Sequence, residues 1–344
     1  MKTQYANAVT QYENGTSLGG RIIKEGGLVV FPTETVYGLG ANGLNSEAVL
    51  KIFAAKGRPA DNPLILHIAK KSELKPLWSH VPDNARILAD TFWPGPLTMI
   101  FNRRSIVPDE VTAGLDTVAV RMPLNKTARA LINAAGVPIA APSANLSGKP
   151  SPTTAEHVRQ DMDGRVDLII DGGPCKYGLE STVVSLIGRP TILRPGAVTK
   201  EMLEAVIGPV DVAHAVLSPL REGETAASPG MKYRHYAPDA EVVVAEGKER
   251  EIAAKICREY DAREAAGEDC IIFATKQTQP FYRGRNCVII GDRTEPATLC
   301  ASLFYSLREY GDRADVIFAE ALPNDDMGLA YMNRLLRSAG FNII

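Results

Sequence analysis

The sequence predicts an α/β protein made of one large and one smaller α/β unit, and three observations support this. The chain has 344 residues, which is enough for two domains with substantial hydrophobic cores. Apolar runs typical of strands alternate with segments of helical periodicity along most of its length. Residues 208–238 interrupt this alternation, because they are rich in Pro, Gly and Ser and show little periodicity. We therefore predict a first domain over 1–207, a linker over 208–238 and a second domain over 239–344.

The first unit contains short apolar runs that are typical of strands and are bounded by turn-forming residues. The predicted strands cover 28–31, 64–68, 97–101, 118–120, 138–141, 168–170, 182–186 and 191–193. Apolar residues at helical spacing lie between many of these runs. The predicted helices cover 46–55, 83–92, 126–135, 153–161 and 200–206.

The same alternation begins again after the linker. The predicted strands there cover 242–244, 271–274, 288–290 and 316–319. The predicted helices cover 249–262, 296–310 and 327–338. Strands that alternate regularly with helices favour a compact, Rossmann-like three-layer α/β domain.

Composition excludes several classes of protein. The hydrophobic content of 45% and the charged content of 23% are ordinary for a globular domain. No stretch approaches the roughly 18 apolar residues of a membrane helix, and the N-terminus lacks the apolar segment of a secretory signal. We therefore expect a cytoplasmic protein that does not associate with membranes. The net charge of −2 argues against a broadly basic nucleic-acid binder but leaves room for a local basic pocket.

The cysteines indicate a reducing compartment. Their number is odd, they are widely spaced and they form no C-x-x-C pair, which also argues against a structural zinc site. They are Cys175, Cys257, Cys270, Cys287 and Cys300.

A glycine pattern at 38–43 fits the G-x-G-x-x-G fingerprint of dinucleotide-binding folds, with Asp61 near the expected acidic position. That fingerprint requires its first glycine directly at the end of a strand. Here residues 32–37 separate the predicted strand 28–31 from Gly38. We therefore reject a dinucleotide site.

The segment 56–67 is the most informative part of the sequence. Lys56 and Arg58 flank a glycine, and a proline follows both Arg58 and Asn62. Proline disfavours helix in the residue before it, so we expect these groups on an exposed, extended loop between a helix and a strand. Binding groups are often placed on such connections. Two charges on a solvated loop are the alternative, but the flanking prolines and the polar clusters described next favour an anion site.

Further polar clusters lie at the ends of predicted strands. They cover 32–37, 121–123, 141–151, 178–182 and 193–196. Hydroxyl, amide and guanidinium groups framed by Gly and Pro at strand ends predict a crevice for polar ligands. Paired carboxylates and metal-ligand clusters are missing from these segments, so the crevice would work by positioning and electrostatics. Ser143 lacks the context of a nucleophile elbow, and a role in capping backbone groups competes evenly with a role in binding.

Taken together and in this order, these motifs resemble the YrdC-like threonylcarbamoyl-AMP synthase family over residues 20–200. The matching segments are Phe-Pro-Thr-Glu-Thr-Val-Tyr-Gly-Leu (31–39), Lys-Gly-Arg-Pro (56–59), Phe-Trp-Pro-Gly-Pro-Leu-Thr (92–98), Val-Arg-Met-Pro (120–123), Pro-Ser-Ala-Asn-Leu-Ser-Gly (142–148), Glu-Ser-Thr-Val (180–183) and Leu-Arg-Pro-Gly (193–196). The linker segment 228–238 and the C-terminal unit resemble the longer, two-domain branch of that family.

The resemblance implies a large, twisted, open mixed sheet with a concave, electropositive face. It implies an enzyme that condenses L-threonine, bicarbonate or CO2, and ATP to threonylcarbamoyl-AMP and pyrophosphate. That product serves threonylcarbamoyladenosine modification of tRNA next to the anticodon. Because a downstream tRNA threonylcarbamoyl transferase would act on tRNA, weak or no direct tRNA binding is expected here. Mg²⁺ is expected as a cofactor, held mainly by the ATP phosphates.

The resemblance also implies two sets of binding residues. The ATP set comprises Lys56, Arg58, Asn62, Thr117, Ser143, Asn145, Ser151, Arg194 and Tyr236. The threonine set comprises Thr35, His67, Arg121, Ala141 and Ser181. Lys56 and Arg58 would be catalytic, because they would neutralise charge on the phosphoryl oxygens. Arg121 offers a planar fork suited to a carboxylate, whereas His67 by itself reads more simply as a core histidine at a strand end. The linker would be a lid that brings Tyr236 to the phosphates.

Two other functions remain open from the sequence. One is an RNA-binding module that uses the basic concave face, although stacking aromatics near the basic loops are scarce. The other is a sensor that binds ATP and threonine without turnover.

Overall fold

The computed structural model describes residues 2–8, 12–218 and 236–344, which form two compact units. Residues 2–8, 12–147 and 151–216 make up the first unit. The second unit contains 236–344 together with the short pieces 148–150 and 217–218.

The first unit alternates strands and short helices. Its elements are β1 (Gln4–Asn7), α1 (Tyr12–Lys24), β2 (Val29–Phe31), β3 (Gly38–Asn42), α2 (Ser46–Lys56), β4 (Ile65–His67), α3 (Asp83–Phe92), β5 (Leu97–Asn102), α4 (Asp109–Thr112), β6 (Thr117–Arg121), α5 (Lys126–Ala135), β7 (Ile139–Ala140), α6 (Ala155–Met162), β8 (Leu168–Asp171), β9 (Thr182–Ser185), β10 (Thr191–Arg194), α7 (Lys200–Ile207) and β11 (Asp211–Val212). Two 3₁₀ helices cover Lys71–Leu74 and His214–Val216.

Across the described residues of this unit, eleven strands form one mixed sheet in the order β1-β8-β2-β3-β7-β4-β6-β5-β9-β10-β11. The sheet is buried on both faces along β2, because Val30 belongs to the large core cluster whereas Val29 and Phe31 belong to a second one. The large cluster includes the apolar residues of α2 and α3, and the second includes those of α5. The predicted large mixed α/β sheet is therefore confirmed.

Local sequence signals explain where several helices begin and end. The Asn45 side chain accepts a hydrogen bond from the Ala48 amide at the start of α2, and the Asn125 side chain accepts one from Ala128 at the start of α5. Each of these helices ends at a glycine, Gly57 or Gly136, with positive φ. Because α2 ends at Gly57, the chain continues from there as a loop.

Each predicted strand and helix of the first unit is present, with shifts of a few residues at the ends. Strands β1, β3 and β11 and helices α1 and α4 were not predicted. Helix α1 was not predicted because it contains three glycines, and glycine has a low helix propensity. A Cβ on Gly19 would meet the Leu131 side chain at 2.7 Å, and one on Gly20 would meet Ala134 at 2.6 Å. The glycines therefore allow α1 to pack closely on α5.

Strands β3 and β11 bear on two interpretations of the sequence, the rejected glycine pattern and the start of the linker. The rejected glycine pattern lies on β3, which pairs antiparallel with β2, so it forms no turn between a strand and a helix. Strand β11 pairs with β10, so the first sheet extends beyond residue 207 and into the predicted linker 208–238. Residues 219–235 of that linker lie outside the described residues.

The second unit is built on a parallel sheet, as predicted for a Rossmann-like domain. Its elements are β12 (Glu241–Ala245), α8 (Glu249–Ala265), β13 (Cys270–Thr275), β14 (Cys287–Gly291), α9 (Pro296–Tyr310), β15 (Val316–Glu320) and α10 (Asp326–Ser338). The strand order is β12-β15-β13-β14, and each neighbouring pair is parallel. Helix α8 packs on the sheet through Ile252, Ile256 and Tyr260.

No helix within the described ranges is long and apolar enough to cross a membrane. The cytoplasmic location stays a prediction.

Candidate active site

Three polar side chains form a row across the centre of the first sheet. His67 at the end of β4 is in register with Arg121 at the end of β6, and Arg121 is in register with Thr98 of β5. Residues in register on neighbouring strands point to the same face and lie about 5 Å apart. By strand alternation this face also carries Ile65 and Ala119, which belong to a small cluster separate from the large core. The row therefore lies on the face of the sheet opposite the large core.

The loop between β2 and β3 adds two groups to this row. Thr35 Oγ1 accepts a hydrogen bond from Arg121 Nη1 at 2.9 Å, and Glu34 Oε1 accepts one from Arg121 Nη2 at 2.5 Å. The other oxygen of Glu34 accepts from the amides of Leu124 and Asn125 at 3.0 and 3.1 Å. Only 5% of Glu34 and 4% of Arg121 is exposed. The guanidinium is thus held in a fixed orientation by a buried ion pair.

Electrostatics favour the charged form of Glu34. Burial raises the pKa of this carboxyl group, but the Arg121 charge and the hydrogen bonds from Arg121 and Leu124 outweigh burial, so the pKa lies below its ordinary value. Glu34 therefore remains the counter-ion of Arg121 at neutral pH.

His67 is neutral in the folded protein. Burial, with a smaller contribution from the Arg121 charge, lowers its pKa to about 3. Its Nδ1 lies 3.2 Å from the carbonyl oxygen of Ile65. A neutral imidazole has one donor and one acceptor nitrogen, so His67 can accept a hydrogen bond from a ligand.

We expect the imidazole signals of His67 to stay in the neutral form from about pH 9 down to about pH 5 in the folded protein. Nitrogen NMR of labelled protein measures this, and His67→Gln identifies the signals by removing them. In urea the same histidine should titrate near the ordinary value of about 6.5, because burial is lost. A titration of the folded-state signal centred above pH 5 would contradict the assignment.

A second hydrogen-bonded group lies on the other side of the row. Ser181 Oγ is 2.7 Å from Thr98 Oγ1, and Arg194 donates to Ser181 through Nη2 at 3.2 Å and to its carbonyl through Nε at 3.0 Å. Arg194 and Ser181 were assigned to different ligands, and the structure brings them into direct contact. The two predicted binding sets therefore meet at Ser181.

Lys56 corrects one expectation from the sequence. It is the last residue of α2 rather than a loop residue, and only 3% of it is exposed. Its Nζ donates to the carbonyl oxygens of Ser143 and Asn145 at 2.5 and 2.6 Å. The reason is that α2 continues through Lys56 and Gly57 ends it, so the side chain lies under the 143–145 loop. Lys56 holds that loop in place.

Arg58 and Asn62 do lie on the loop that the prolines predicted. Arg58 is half-buried, its guanidinium lies 5.5 Å from the Phe53 ring centre, and its Nη2 donates to the Asn62 carbonyl at 2.8 Å. The Asn62 side chain is fully buried, and no described residue forms a hydrogen bond with its amide oxygen or nitrogen. Buried polar atoms normally have a partner, so this amide is available to an ordered water or to a ligand.

Thr117 opens β6 four residues before Arg121, which separates the two by about 13 Å along the strand. Ser143 Oγ donates to Asn145 Oδ1 at 2.5 Å, and the Ser151 hydroxyl donates to Glu180 Oε1 at 2.5 Å. The role of these residues in ATP binding stays a prediction.

Hydrogen bonds and strand register link most of the predicted threonine residues to one another. Thr35 contacts Arg121, His67 and Arg121 are paired in register, and Ser181 reaches the row through Thr98. The amide of Ala141 donates to the carbonyl of Ile65 at 2.9 Å, which fixes the end of β7 beside β4. Their role in threonine binding stays a prediction.

Three residues that contact the predicted site residues were not predicted themselves, namely Glu34, Thr98 and Glu180. All three lie inside the motifs quoted above, but nothing local marks them as partners of Arg121, Ser181 and Ser151. Strand register and loop placement bring each of these residues to its partner. In the sequence, their position within a motif was the signal that could have marked them.

Tyr236 belongs to the second unit. It is buried, its backbone has φ 65°, and its ring lies 4.9 Å from that of Phe304. Its contact with ATP phosphates stays a prediction, as does the lid, since 219–235 lie outside the described residues. Among the described residues, no group of three or more His, Cys, Asp or Glu side chains could hold a metal ion.

The comparisons with known proteins match both units. Residues 21–196 match the Sua5, YciO and YrdC family model, described as telomere recombination. Residues 198–340 match the model for the C-terminal domain of threonylcarbamoyl-AMP synthase. The chain belongs to the threonylcarbamoyl-AMP synthase family.

Relatives agree along almost the whole length. The threonylcarbamoyl-AMP synthase of Bacillus subtilis is 47% identical over 94% of this chain and 92% of the relative. That of Pyrococcus abyssi is 47% identical over 94% of this chain and 93% of the relative. The crystal structure of P. abyssi Sua5 complexed with L-threonine matches with a TM-score of 0.93 and 44% identity, covering 100% of this chain and 99% of that one. The predicted family, its longer two-domain branch and an enzyme of this class are confirmed.

Proposed function

We propose that this enzyme condenses L-threonine, bicarbonate or CO2, and ATP to threonylcarbamoyl-AMP and pyrophosphate. The observation that carries the proposal is the fixed guanidinium of Arg121 beside Thr35 and the neutral His67. Family membership and the threonine complex of the P. abyssi relative support it.

Arg121 has the capacity to bind the threonine carboxylate. A guanidinium carries five N–H donors, of which one contacts Thr35, one contacts Glu34 and a third lies 3.4 Å from the Gly95 carbonyl. Two donors remain for a carboxylate, and the ion pair with Glu34 keeps their direction constant. Arg121 would thus bind threonine without reorganising.

The chemistry needs a neutral threonine amine. That amine attacks CO2 and loses a proton to give a carbamate, or it attacks bicarbonate with loss of water. A neutral His67 can accept a hydrogen bond from the amine without placing a second positive charge beside Arg121. A carbamate oxygen then attacks the α-phosphorus of ATP, the bond to the bridging oxygen breaks, and pyrophosphate leaves.

Both reacting partners are anions, so positive charge and positioning would supply most of the catalysis. Arg58 and Arg194 would contact phosphate oxygens, and the buried Asn62 amide would bind another part of the nucleotide. Lys56 would act at least partly by holding Ser143 and Asn145 in position.

Mg²⁺ would be held mainly by phosphates and water. The nearby carboxylates fit this arrangement, because Glu34 is paired with Arg121 and Glu180 accepts a hydrogen bond from Ser151. When bound, the ion would neutralise charge on the leaving pyrophosphate. The product would serve threonylcarbamoyladenosine modification of tRNA through a downstream transferase.

We expect pyrophosphate release that requires ATP, threonine and bicarbonate together. A coupled pyrophosphate assay measures it, with each substrate omitted in turn as the control. Serine should be a poor substrate rather than an inert one, since one methyl contact contributes only about 1–3 kcal/mol. Binding of ATP and threonine without release at high enzyme concentration would instead identify a sensor, and tight tRNA binding without release an RNA-binding module.

A further inference from the structure

The first unit contains a cavity that lies apart from the site described above. It has a volume of about 450 Å³ and lies between the 3₁₀ helix Lys71–Leu74 and helix α3. Leu74, Trp78, Val81 and Ala89 form an apolar floor. Ligand pockets commonly measure about 300–1,000 Å³ and are lined largely by apolar groups, so this cavity is large enough for a small organic molecule. None of its lining residues belongs to the sets assigned to ATP or threonine.

The wall around this floor carries excess positive charge. Lys71 is compensated by Asp90, whose carboxylate lies 2.7 Å from its Nζ. Arg86 is paired with Asp83 at 3.1 Å. Lys75 also lines the cavity and has no carboxylate partner among the described residues. One uncompensated charge therefore comes from Lys75.

A second uncompensated charge comes from Arg104, which is held rigidly. Its Nε donates to the Trp78 carbonyl at 2.8 Å, and its Nη2 donates to the Ser79 carbonyl at 3.1 Å. These bonds orient the plane of the guanidinium at the cavity wall, and no described carboxylate pairs with it. A guanidinium fixed in this way is suited to a phosphate or carboxylate group.

We propose that this cavity binds a small phosphate monoester that has an apolar or aromatic body. The two uncompensated charges of Lys75 and Arg104 match a dianion, which favours a phosphate monoester over a monocarboxylate. The apolar floor requires a body that inorganic phosphate lacks. The exposed ring of His80, which lies edge-on to Phe101 with ring centres 4.7 Å apart, adds an aromatic surface at the cavity.

Titration calorimetry of the full-length protein with phenyl phosphate tests the proposal. We expect saturable binding that Lys75→Gln weakens about tenfold or more, the size of one lost charge-assisted contact. Lys70→Gln is the matched control, because Lys70 is exposed and adjacent but does not line the cavity. The binding component that Lys75→Gln weakens belongs to the cavity. Binding at the proposed nucleotide site should be the same in the wild type, Lys75→Gln and Lys70→Gln.

Two further probes separate the contributions of charge and body. Phenol carries the body without the dianion, and inorganic phosphate carries the charge without the body, so each should bind at least about tenfold more weakly than phenyl phosphate. A third variant, Ser72→Phe, places a bulky group at an exposed lining residue and should also weaken this binding component. Equal affinity in Lys75→Gln and Lys70→Gln overturns the proposal. It is also overturned if a single-stranded RNA binds and both lysine variants weaken it equally, because that result identifies a general basic surface.

Discussion

Replacing Arg121 with leucine is expected to abolish threonine-dependent pyrophosphate release and to lower the free energy of unfolding by about 3–5 kcal/mol. The loss of stability follows from Glu34, whose buried carboxylate would keep its two backbone amide donors but lose its counter-ion. The loss of activity follows because Arg121 carries the donors proposed for the substrate carboxylate. Urea unfolding and the pyrophosphate assay measure the two effects separately.

A double-mutant cycle distinguishes the structural and the binding roles of this pair. Glu34→Gln alone should also destabilise, because it leaves Arg121 buried without its counter-ion. The double variant with Glu34→Gln and Arg121→Leu should recover much of the lost stability, since it contains no unpaired charge, yet it should remain inactive. Arg121→Lys keeps the charge but not the fork, so threonine affinity should fall about tenfold or more. Wild-type threonine affinity in Arg121→Lys would show that another residue binds the carboxylate.

Acid provides an independent check on the same ion pair. The folded-state pKa of Glu34 lies below the ordinary value of 4.5, so its contribution to stability is present above pH 4.5 and is lost as the pH falls through the folded-state pKa. His67 has a depressed pKa as well, and it therefore lowers stability as the pH falls from 6.5 toward about 3. Comparing wild type with Glu34→Gln isolates the first contribution. The difference in unfolding free energy should shrink below pH 4.5, and a constant difference would contradict the ion-pair assignment.

The sequence was informative wherever a local signal determines local structure. Apolar periodicity placed α2 and α5 within a residue or so. The hydrogen-bond partners of the polar residues at the strand ends could not be predicted, because they depend on strand register. His67, Arg121 and Thr98 are far apart in sequence, and only the order β4-β6-β5 aligns them. The burial of Glu34 depends on a loop crossing for which the sequence contains no local signal.

The position of Lys56 also could not be predicted correctly from local sequence. The pattern Lys-Gly-Arg-Pro correctly predicted an ordered loop after Gly57 and suggested that both cations were exposed. One more residue of helix places Lys56 in the interior, where its ammonium contacts backbone carbonyls 87 and 89 positions away in the sequence. A charge motif can therefore predict an ordered loop correctly while misplacing one of its residues by a single helical residue.

Lys56→Met is accordingly expected to reduce both stability and turnover. Methionine has similar length but no donors, so the carbonyls of Ser143 and Asn145 lose their hydrogen bonds from Nζ at a cost of about 1–3 kcal/mol. Release of this loop displaces the Ser143 hydroxyl and the Asn145 amide, and turnover should fall more than about tenfold, which corresponds to roughly 1.4 kcal/mol in the barrier. Urea unfolding and single-turnover pyrophosphate release measure the two losses.

Two variants provide the contrast that makes this result interpretable. Lys51 lies on the same helix, and its Nζ donates a hydrogen bond to the carbonyl of Gly26 at 2.7 Å. Lys51→Met also removes this bond, but Lys51 is exposed, so turnover should be unchanged. Arg58→Ala should lower turnover more than about tenfold with a change in stability below about 1 kcal/mol, because Arg58 is half-buried on the loop. If Lys56→Met unfolds at the wild-type urea concentration and loses only ATP affinity, Lys56 acts on phosphate directly and the loop-holding role is wrong. If it instead loses stability and turnover together, the buried ammonium organises the nucleotide site from beneath, and Arg58 supplies the charge that faces the phosphates.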